Sequence, residues 1–473
     1  MSENMDHSSL FADENAEGDG VAAAFGVESV YQDLLSRAPE NKMAPRLDAM
    51  QRAVEILGEP HRSAPVIHIT GTNGKTSTAR MIERLLMAHD LRTGRYTSPH
   101  LTQVTERICI DGEPVDDSTF VRIWEEIQPY IQIVDQELEA SGAPRITYFE
   151  ALTILAFAIF ADEPVDVMVL EVGIGGVWDA TNVADGAVSV ITPIGLDHTE
   201  MLGDTLEDIA SEKQGIIKDG GFLVSAVQDP AAAQVLLNSA REHDAQFRFE
   251  GVEFGVVDRQ SGVGGQIISV RGLADTYTDI ALPLFGAHQA ENAAVAIAAV
   301  EAFLGGGEKP LNPELIHTGW EELTSPGRLE VLRTSPTVII DAAHNPHGIK
   351  ASADAVKEAF LFDQLNIVIG ILGEKDAQGI FETIREEYRD ATDFELRLFL
   401  TASNSNRAIS VQELENFALN AGFNEDELET HEHLHDAVAA AILAAGTGEE
   451  QSAAVLITGS ITVIGEARSM MGA

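Results

Sequence analysis

The chain has one cysteine in 473 residues, Cys109. No disulfide framework can form from it, which fits a reducing cytoplasm. It stands in the strand-like run Arg107-Ile108-Cys109-Ile110 and reads as a small core residue. Basic residues are scarce: 30 Lys and Arg stand against 76 Asp and Glu, a net charge of −46. Nucleic acids and anionic membranes need basic surface, so neither is expected as a partner. No Lys or Arg precedes Arg37 and no apolar core marks a leader, so no secretory signal is expected. Long apolar runs are missing too. The longest, around 151–161, is far short of the ~20 residues that a membrane span needs.

What is present is a 45% share of hydrophobic residues, enough for two or three domains with real cores. Residues 1–26 are polar and acidic and read as a disordered tail. Helices are expected at 27–37 and 44–57, the latter with Leu47, Met50, Val54 and Leu57 on one face. Strands 66–69, 165–172 and 187–194 alternate with helices 118–140, 147–161 and 206–218, the mark of a doubly wound parallel sheet. A further strand is expected at 105–110. Residues 245–284 read as short antiparallel strands, with Gly262-Val263-Gly264-Gly265 as a hairpin turn. The alanine-rich helix 288–304 is apolar nearly all round and should be buried. A boundary falls near Leu323-Thr324-Ser325-Pro326-Gly327, after which strands 337–341, 365–372, 396–400 and 453–458 restart the alternation. The expected fold is therefore α/β throughout. An ATP-binding domain with a small antiparallel part covers 27–325, and a Rossmann-like α/β domain covers 326–473.

The most informative stretch is Val66-Ile67-His68-Ile69-Thr70-Gly71-Thr72-Asn73-Gly74-Lys75-Thr76. A buried strand runs into a glycine turn and then a helix start. Backbone N–H groups, the helix N-terminus and Lys75 would cradle phosphate oxygens, and the Thr76 hydroxyl could ligate Mg²⁺. The loop is shorter than the common P-loop, since Ile69 stands where that pattern has a glycine. A plain glycine turn is the competing reading. The Gly173-Ile174-Gly175-Gly176 loop lacks the dinucleotide spacing, so NAD is not expected.

In open parallel sheets, ligands bind beyond the carboxyl ends of strands. Glu171, Asp197 and His198 fall at such ends. A carboxylate there is costly to bury without a cation, so Glu171 reads as a metal ligand or else as a helix cap. Ser98, in Ser98-Pro99, is a weaker candidate of the same kind. Lys213 shares the apolar face of its helix with Leu206 and Ile209. It reads as a snorkelling chain, an ion-pair member or a carbamylated, metal-binding lysine. His431-Glu432-His433-Leu434-His435 reads as a solvated segment.

The ordered set of motifs resembles the Mur ligase superfamily and, within it, the folylpolyglutamate synthase and dihydrofolate synthase family. It comprises Ile69–Ser77, Thr97-Ser98-Pro99-His100-Leu101, Leu170-Glu171-Val172-Gly173, Asp179-Ala180-Thr181-Asn182 and Leu196-Asp197-His198. It continues with Glu212-Lys213-x-Gly215-Ile216, Gly286-x-His288-Gln289-x-x-Asn292, Ser325-Pro326-Gly327-Arg328 and Asp341-Ala342-Ala343-His344-Asn345-Pro346. The resemblance implies ATP-dependent amide formation. A substrate carboxylate is phosphorylated and L-glutamate attacks the acyl phosphate; the acceptors are dihydropteroate and reduced folates. It implies that Gly71, Thr72, Asn73, Gly74, Lys75 and Thr76 hold ATP phosphates, with Asn292, Arg328 and Asp341 as further ATP contacts. It implies two Mg²⁺ ions on Ser98, Glu171, His198 and Thr76, a carbamylated Lys213, and His344, Ser460 and Glu150 on the glutamate and folate side. Lys75, Lys213 and His198 would be catalytic. A monomer acting on small molecules is expected. The family's arginine after Gly175-Gly176 is replaced by Val177-Trp178, so any anion contact it makes is absent or supplied elsewhere. Another Mur-type amino-acid ligase, or a nucleotide-binding switch that ligates nothing, are the alternatives.

Overall fold

The computed structural model describes residues 26–39, 45–446 and 452–472. The tail expected over 1–26 lies outside the described residues but for Gly26, and Ala44, the expected start of the second helix, is also outside them. Among the described residues, seventeen strands form three sheets. The first holds β1 (Val66–Thr70), β2 (Thr93–Tyr96), β3 (Ile108–Ile110), β4 (Glu113–Pro114), β5 (Val167–Glu171), β6 (Gly186–Ile191), β7 (Phe222–Ser225) and β8 (Gln246–Phe249). Their order is β4-β3-β2-β5-β1-β6-β7-β8, parallel except at the β2–β3 and β3–β4 edge. β1 is buried at every position, as its unbroken apolar character requires of a strand covered on both faces.

Strands β9 (Gly255–Gly262), β10 (Gly265–Arg271) and β11 (Thr276–Leu282) make an antiparallel sheet, with the expected glycine turn joining the first two. Helix Ala287–Gly305 is buried along most of its length and shares one core with β1, β6, β7 and this small sheet. The third sheet runs β12-β13-β17-β14-β15-β16, from β12 (Glu330–Thr334), β13 (Thr337–Ile340), β14 (Gln364–Ile369), β15 (Glu395–Leu400), β16 (Leu428–Thr430) and β17 (Ala453–Thr458). Only β12–β13 is antiparallel in it.

Two expectations are corrected. Residues 104–107 are a 3₁₀ turn rather than strand, and β3 starts only at Ile108. The Glu106 carboxylate causes this by accepting the N–H groups of Leu101, Thr102 and Gln103, which folds the chain back on itself. In the region 245–284, β8 is not antiparallel but joins the large sheet in parallel beside β7.

Candidate active site

The loop after β1 closes around two glycines, at each of which a side chain would crowd a neighbour. At Gly74, φ is 87° and an added Cβ would stand 2.5 Å from Asn292 Oδ1. At Gly71 a Cβ would overlap Thr192. Gly74 caps helix Lys75–Ala88, so the first N–H groups of that helix face the loop. Lys75 Nζ donates to the carbonyls of Gly71 and Thr72, both at 3.1 Å. Lys213 Nζ reaches the same Gly71 carbonyl at 2.9 Å. Burial pushes the Lys75 ammonium down. Burial, with the Lys75 charge beside it, pushes Lys213 down to about 7.

Glu171 ends β5 opposite Ile69 of β1, which sets its carboxylate against the loop. It is only 1% exposed. The Thr76 hydroxyl donates across its two oxygens, at 3.0 and 2.9 Å. Burial raises its pKa against the opposing pull of Lys75. The backbone N–H of Ser98, on the loop after β2, also reaches this carboxylate.

The second sheet system supplies the opposite wall. Arg328 follows the 325–328 turn, and its charge acts on Glu171, Lys75 and Asp341 together. Asp341, just past β13, accepts from Leu329 N at 3.0 Å and Ala343 N at 3.1 Å. Asn345 caps helix Pro346–Ala359 and exchanges side-chain amide hydrogen bonds with Asn73 at 3.1 and 3.3 Å. Asn73 also bonds His347 at 2.9 Å.

Asp197 is the other meeting point. Lys375 Nζ lies 2.8 Å from its Oδ1, and His344 Nε2 is 3.7 Å from its Oδ2. Burial would raise this carboxyl; His344 and the Lys375 ammonium outweigh it and hold Asp197 well below the usual carboxylate range. His198 sits beside them at φ 52°, with Nε2 3.5 Å from Lys375 Nζ. Burial and that ammonium push His198 down to about 3, so its ring is neutral at pH 7.

Of the residues singled out in the sequence, Gly71–Thr76, Ser98, Glu171, His198, Lys213, Asn292, Arg328, Asp341 and His344 thus converge on one cleft. Ser460 caps the last helix, Ile461–Met470, and accepts from Val463 N at 3.3 Å. Its neighbour Gly459 bonds the Ala343 carbonyl, next to His344. Glu150 is engaged elsewhere: its carboxylate takes the Thr147 N–H and the Arg46 guanidinium. Val177 packs beside Lys213, its N–H on the Glu212 carbonyl at 2.9 Å. Lys375, Asn345 and His347 were missed as site residues. Lys375 follows an apolar strand, as Glu171 and Asp197 do, and that signal could have found it. Among the described residues the 431–435 histidines hold no metal cluster; His431 stacks on Phe399 and bonds Glu429.

The Mur ligase middle domain matches residues 69–300, and the Mur ligase glutamate ligase domain matches residues 327–461. Dihydrofolate synthase/folylpolyglutamate synthase of Mycobacterium tuberculosis is 43% identical, over 96% of this chain and 95% of that one. The Escherichia coli protein of the same name is 34% identical over 69% of this chain and 71% of its own. The crystal structure of the M. tuberculosis folylpolyglutamate synthase complexed with ADP and AMPPCP superposes with a TM-score of 0.89, at 41% identity, covering 95% of this chain and 99% of that one. E. coli FolC in complex with DHPP and ADP gives a TM-score of 0.79 at 27% identity, covering 94% and 97%. With both halves of the cleft and nearly the whole length matched, the chain belongs to the folylpolyglutamate synthase/dihydrofolate synthase family of Mur ligases.

Proposed function

We propose that the protein is an ATP-dependent ligase that adds L-glutamate to dihydropteroate and to the glutamate tail of reduced folates. The observation that carries this is the meeting of Lys75, Thr76 and Glu171 from one lobe (27–325) with Arg328 and Asp341 from the other (326–473). Joining two anions, a nucleotide and a carboxylate, needs cations on both sides. Lys75 and Arg328 supply them.

In the first step an oxygen of the acceptor carboxylate bonds the terminal phosphorus, and ADP departs with the bridging oxygen. In the second, the glutamate amine bonds the acyl carbon, phosphate leaves with the C–O electron pair, and the amine loses a proton. The chain holds reactants in line and excludes water from the acyl phosphate while the lobes are together. His344 and Ser460 lie on the side we assign to glutamate, joined through residue 343.

Mg²⁺ suits the donors present. Glu171 is a buried carboxylate whose pKa burial raises against the pull of Lys75, and the Thr76 hydroxyl is already aimed at it. One carboxylate, phosphates and water make a ligand set that Mg²⁺ accepts. Glu171, Thr76 and Ser98 would hold one ion and the neutral His198 ring a second. Bound there, the metal would neutralise charge developing on the phosphates. We also propose that Lys213 is carbamylated. An amine pushed down to about 7 is about half neutral near pH 7, and its neutral form can bond the carbon of CO₂ with release of a proton. We propose a monomer; the one buried free cysteine supports the cytoplasm.

The test is ADP release with dihydropteroate plus glutamate, with tetrahydrofolate plus glutamate, with UDP-linked muropeptide precursors, and with no acceptor. Release dependent on folate and glutamate is expected; a rate indifferent to acceptor would favour a nucleotide switch. Glu171→Gln should cost about 100-fold or more in turnover with the fold intact by circular dichroism. Wild-type turnover would remove Glu171 from the metal site.

A further inference from the structure

The loop that carries Ser98 has a second attachment, to the far lobe. Leu101, three residues on, packs its side chain into the core formed by Val338, Ile340, Val463 and Ile464 of the second lobe. Gly327, at φ 70°, makes room for it: a Cβ there would stand 3.3 Å from Leu101 Cδ2. The backbone of the same residue lies against helix Ile461–Met470. At Gly465 an added Cβ would overlap the Leu101 carbonyl oxygen, and that oxygen belongs to main chain that cannot swing aside as a side chain can. Gly465 lies within a helix, where no turn or positive φ calls for glycine and alanine is the better former. Its missing side chain is accounted for by the approach of Leu101.

Leu101 is also held from its own side. Its N–H donates to Glu106 Oε2 at 2.9 Å, and Glu106 takes Thr102 and Gln103 N–H as well. The turn 101–106 is therefore a stiff unit, and three residues before it the Ser98 N–H reaches Glu171. Only Pro99 and His100 separate Leu101 from Ser98, and Arg107 Nε donates to His100 Nδ1 at 2.8 Å.

We infer that Leu101 and Gly465 are positioning residues: a joint through which docking of the second lobe seats the Ser98 loop beside Glu171. Neither touches the reacting atoms. Approach of the lobes and completion of the metal-binding loop become one event, so the nucleotide is activated only with the cleft closed over it. The activity readout rests on the ligase reading; the shape readout does not.

The experiment uses the full chain as wild type, Gly465→Ala, Leu101→Ala and, as a control, Ser469→Ala on the exposed side of the same helix. Small-angle scattering with and without AMPPCP and Mg²⁺ measures closure. ADP release against Mg²⁺ concentration measures the loop. Circular dichroism verifies folding, and Leu101→Ala, which only shortens a partly buried side chain, stands in if Gly465→Ala misfolds. Both joint variants should fail to reach the wild-type radius of gyration with AMPPCP. Both should need roughly tenfold more Mg²⁺ for half-maximal turnover, the scale of a lost supporting contact at a metal site. Ser469→Ala should match wild type. Wild-type compaction, or wild-type Mg²⁺ dependence, in folded joint variants overturns the proposal. Wild-type protein that releases no ADP in response to folate would instead overturn the ligase reading, with scattering still deciding the joint.

Discussion

Lys213 shows how far one side chain can be read. Its place on an apolar helical face made it conspicuous in the sequence, and it is 4% exposed in the fold. Burial, then the neighbouring Lys75, takes it from 10.5 to about 7. The folded protein therefore binds fewer protons than the unfolded chain between those two values, and stability must rise with pH across that window. Below pH 7 the full cost of a buried ammonium is present; above 10.5 it is gone. In CO₂-free buffer, where Lys213 is the free amine, Lys213→Met should thus stabilise the unliganded protein at pH 7 by on the order of a few kcal/mol, with the gain vanishing near pH 10.5. Thermal or urea unfolding of the two proteins across pH 6–10 measures it. A gain independent of pH would mean that the Lys213 charge is paired in the free-amine protein. Activity should fall the other way: Lys213→Ala should be inactive and partly restored by short carboxylic acids, if the carbamate is what the site uses.

At the scale of elements, capping chemistry decides what a polar residue is for. Glu150 completes a capping box at helix Tyr148–Asp162, with Thr147 accepting the Glu150 N–H, and it also takes the Arg46 guanidinium at 3.2 Å. Both oxygens are spent on structure. Glu150→Ala should lower stability by about 1–3 kcal/mol while KM for folate stays unchanged; a raised KM at unchanged stability would return Glu150 to the substrate. The same contrast marks what was legible in the sequence. Helices and buried strands announce themselves by periodicity, and polar residues at strand ends announce a cleft, which is why Lys75, Glu171 and His198 could be named. Residues 104–107 misled because their alternation is strand-like, while the forces that shape them come from one carboxylate reaching three N–H groups. The Asn73–Asn345 amide pair spans 272 positions of chain. No local pattern encodes such a partner, and the missed residues Asn345 and His347 are of this kind, whereas Lys375 carried a local signal in the apolar strand before it.

For the molecule as a whole, the question is how a chain of net charge −46 captures a nucleotide polyanion. The cleft answers locally: Lys75, Lys213, Arg328 and Lys375 face one another through Glu171 and Asp197. The two fields differ in range. At about 0.01 M salt the screening length is ~30 Å, so an approaching nucleotide meets the repulsion of the entire acidic surface. At about 0.1 M it is ~10 Å, and only the cationic cleft remains in view. At about 1 M it is ~3 Å and the cleft is screened as well. The rate of nucleotide capture should therefore rise with salt, pass through a maximum, and fall, where most sites for anions only weaken. Stopped-flow association of a fluorescent ATP analogue with Mg²⁺ held constant measures this directly. The thermal midpoint should climb over the first part of the same range, because screening relieves the self-repulsion of the surface while buried pairs such as Asp197–Lys375, at 9–10% side-chain exposure, are screened far less. A capture rate that falls from the lowest salt upward would mean that the cleft's own charge already outweighs the surface at long range.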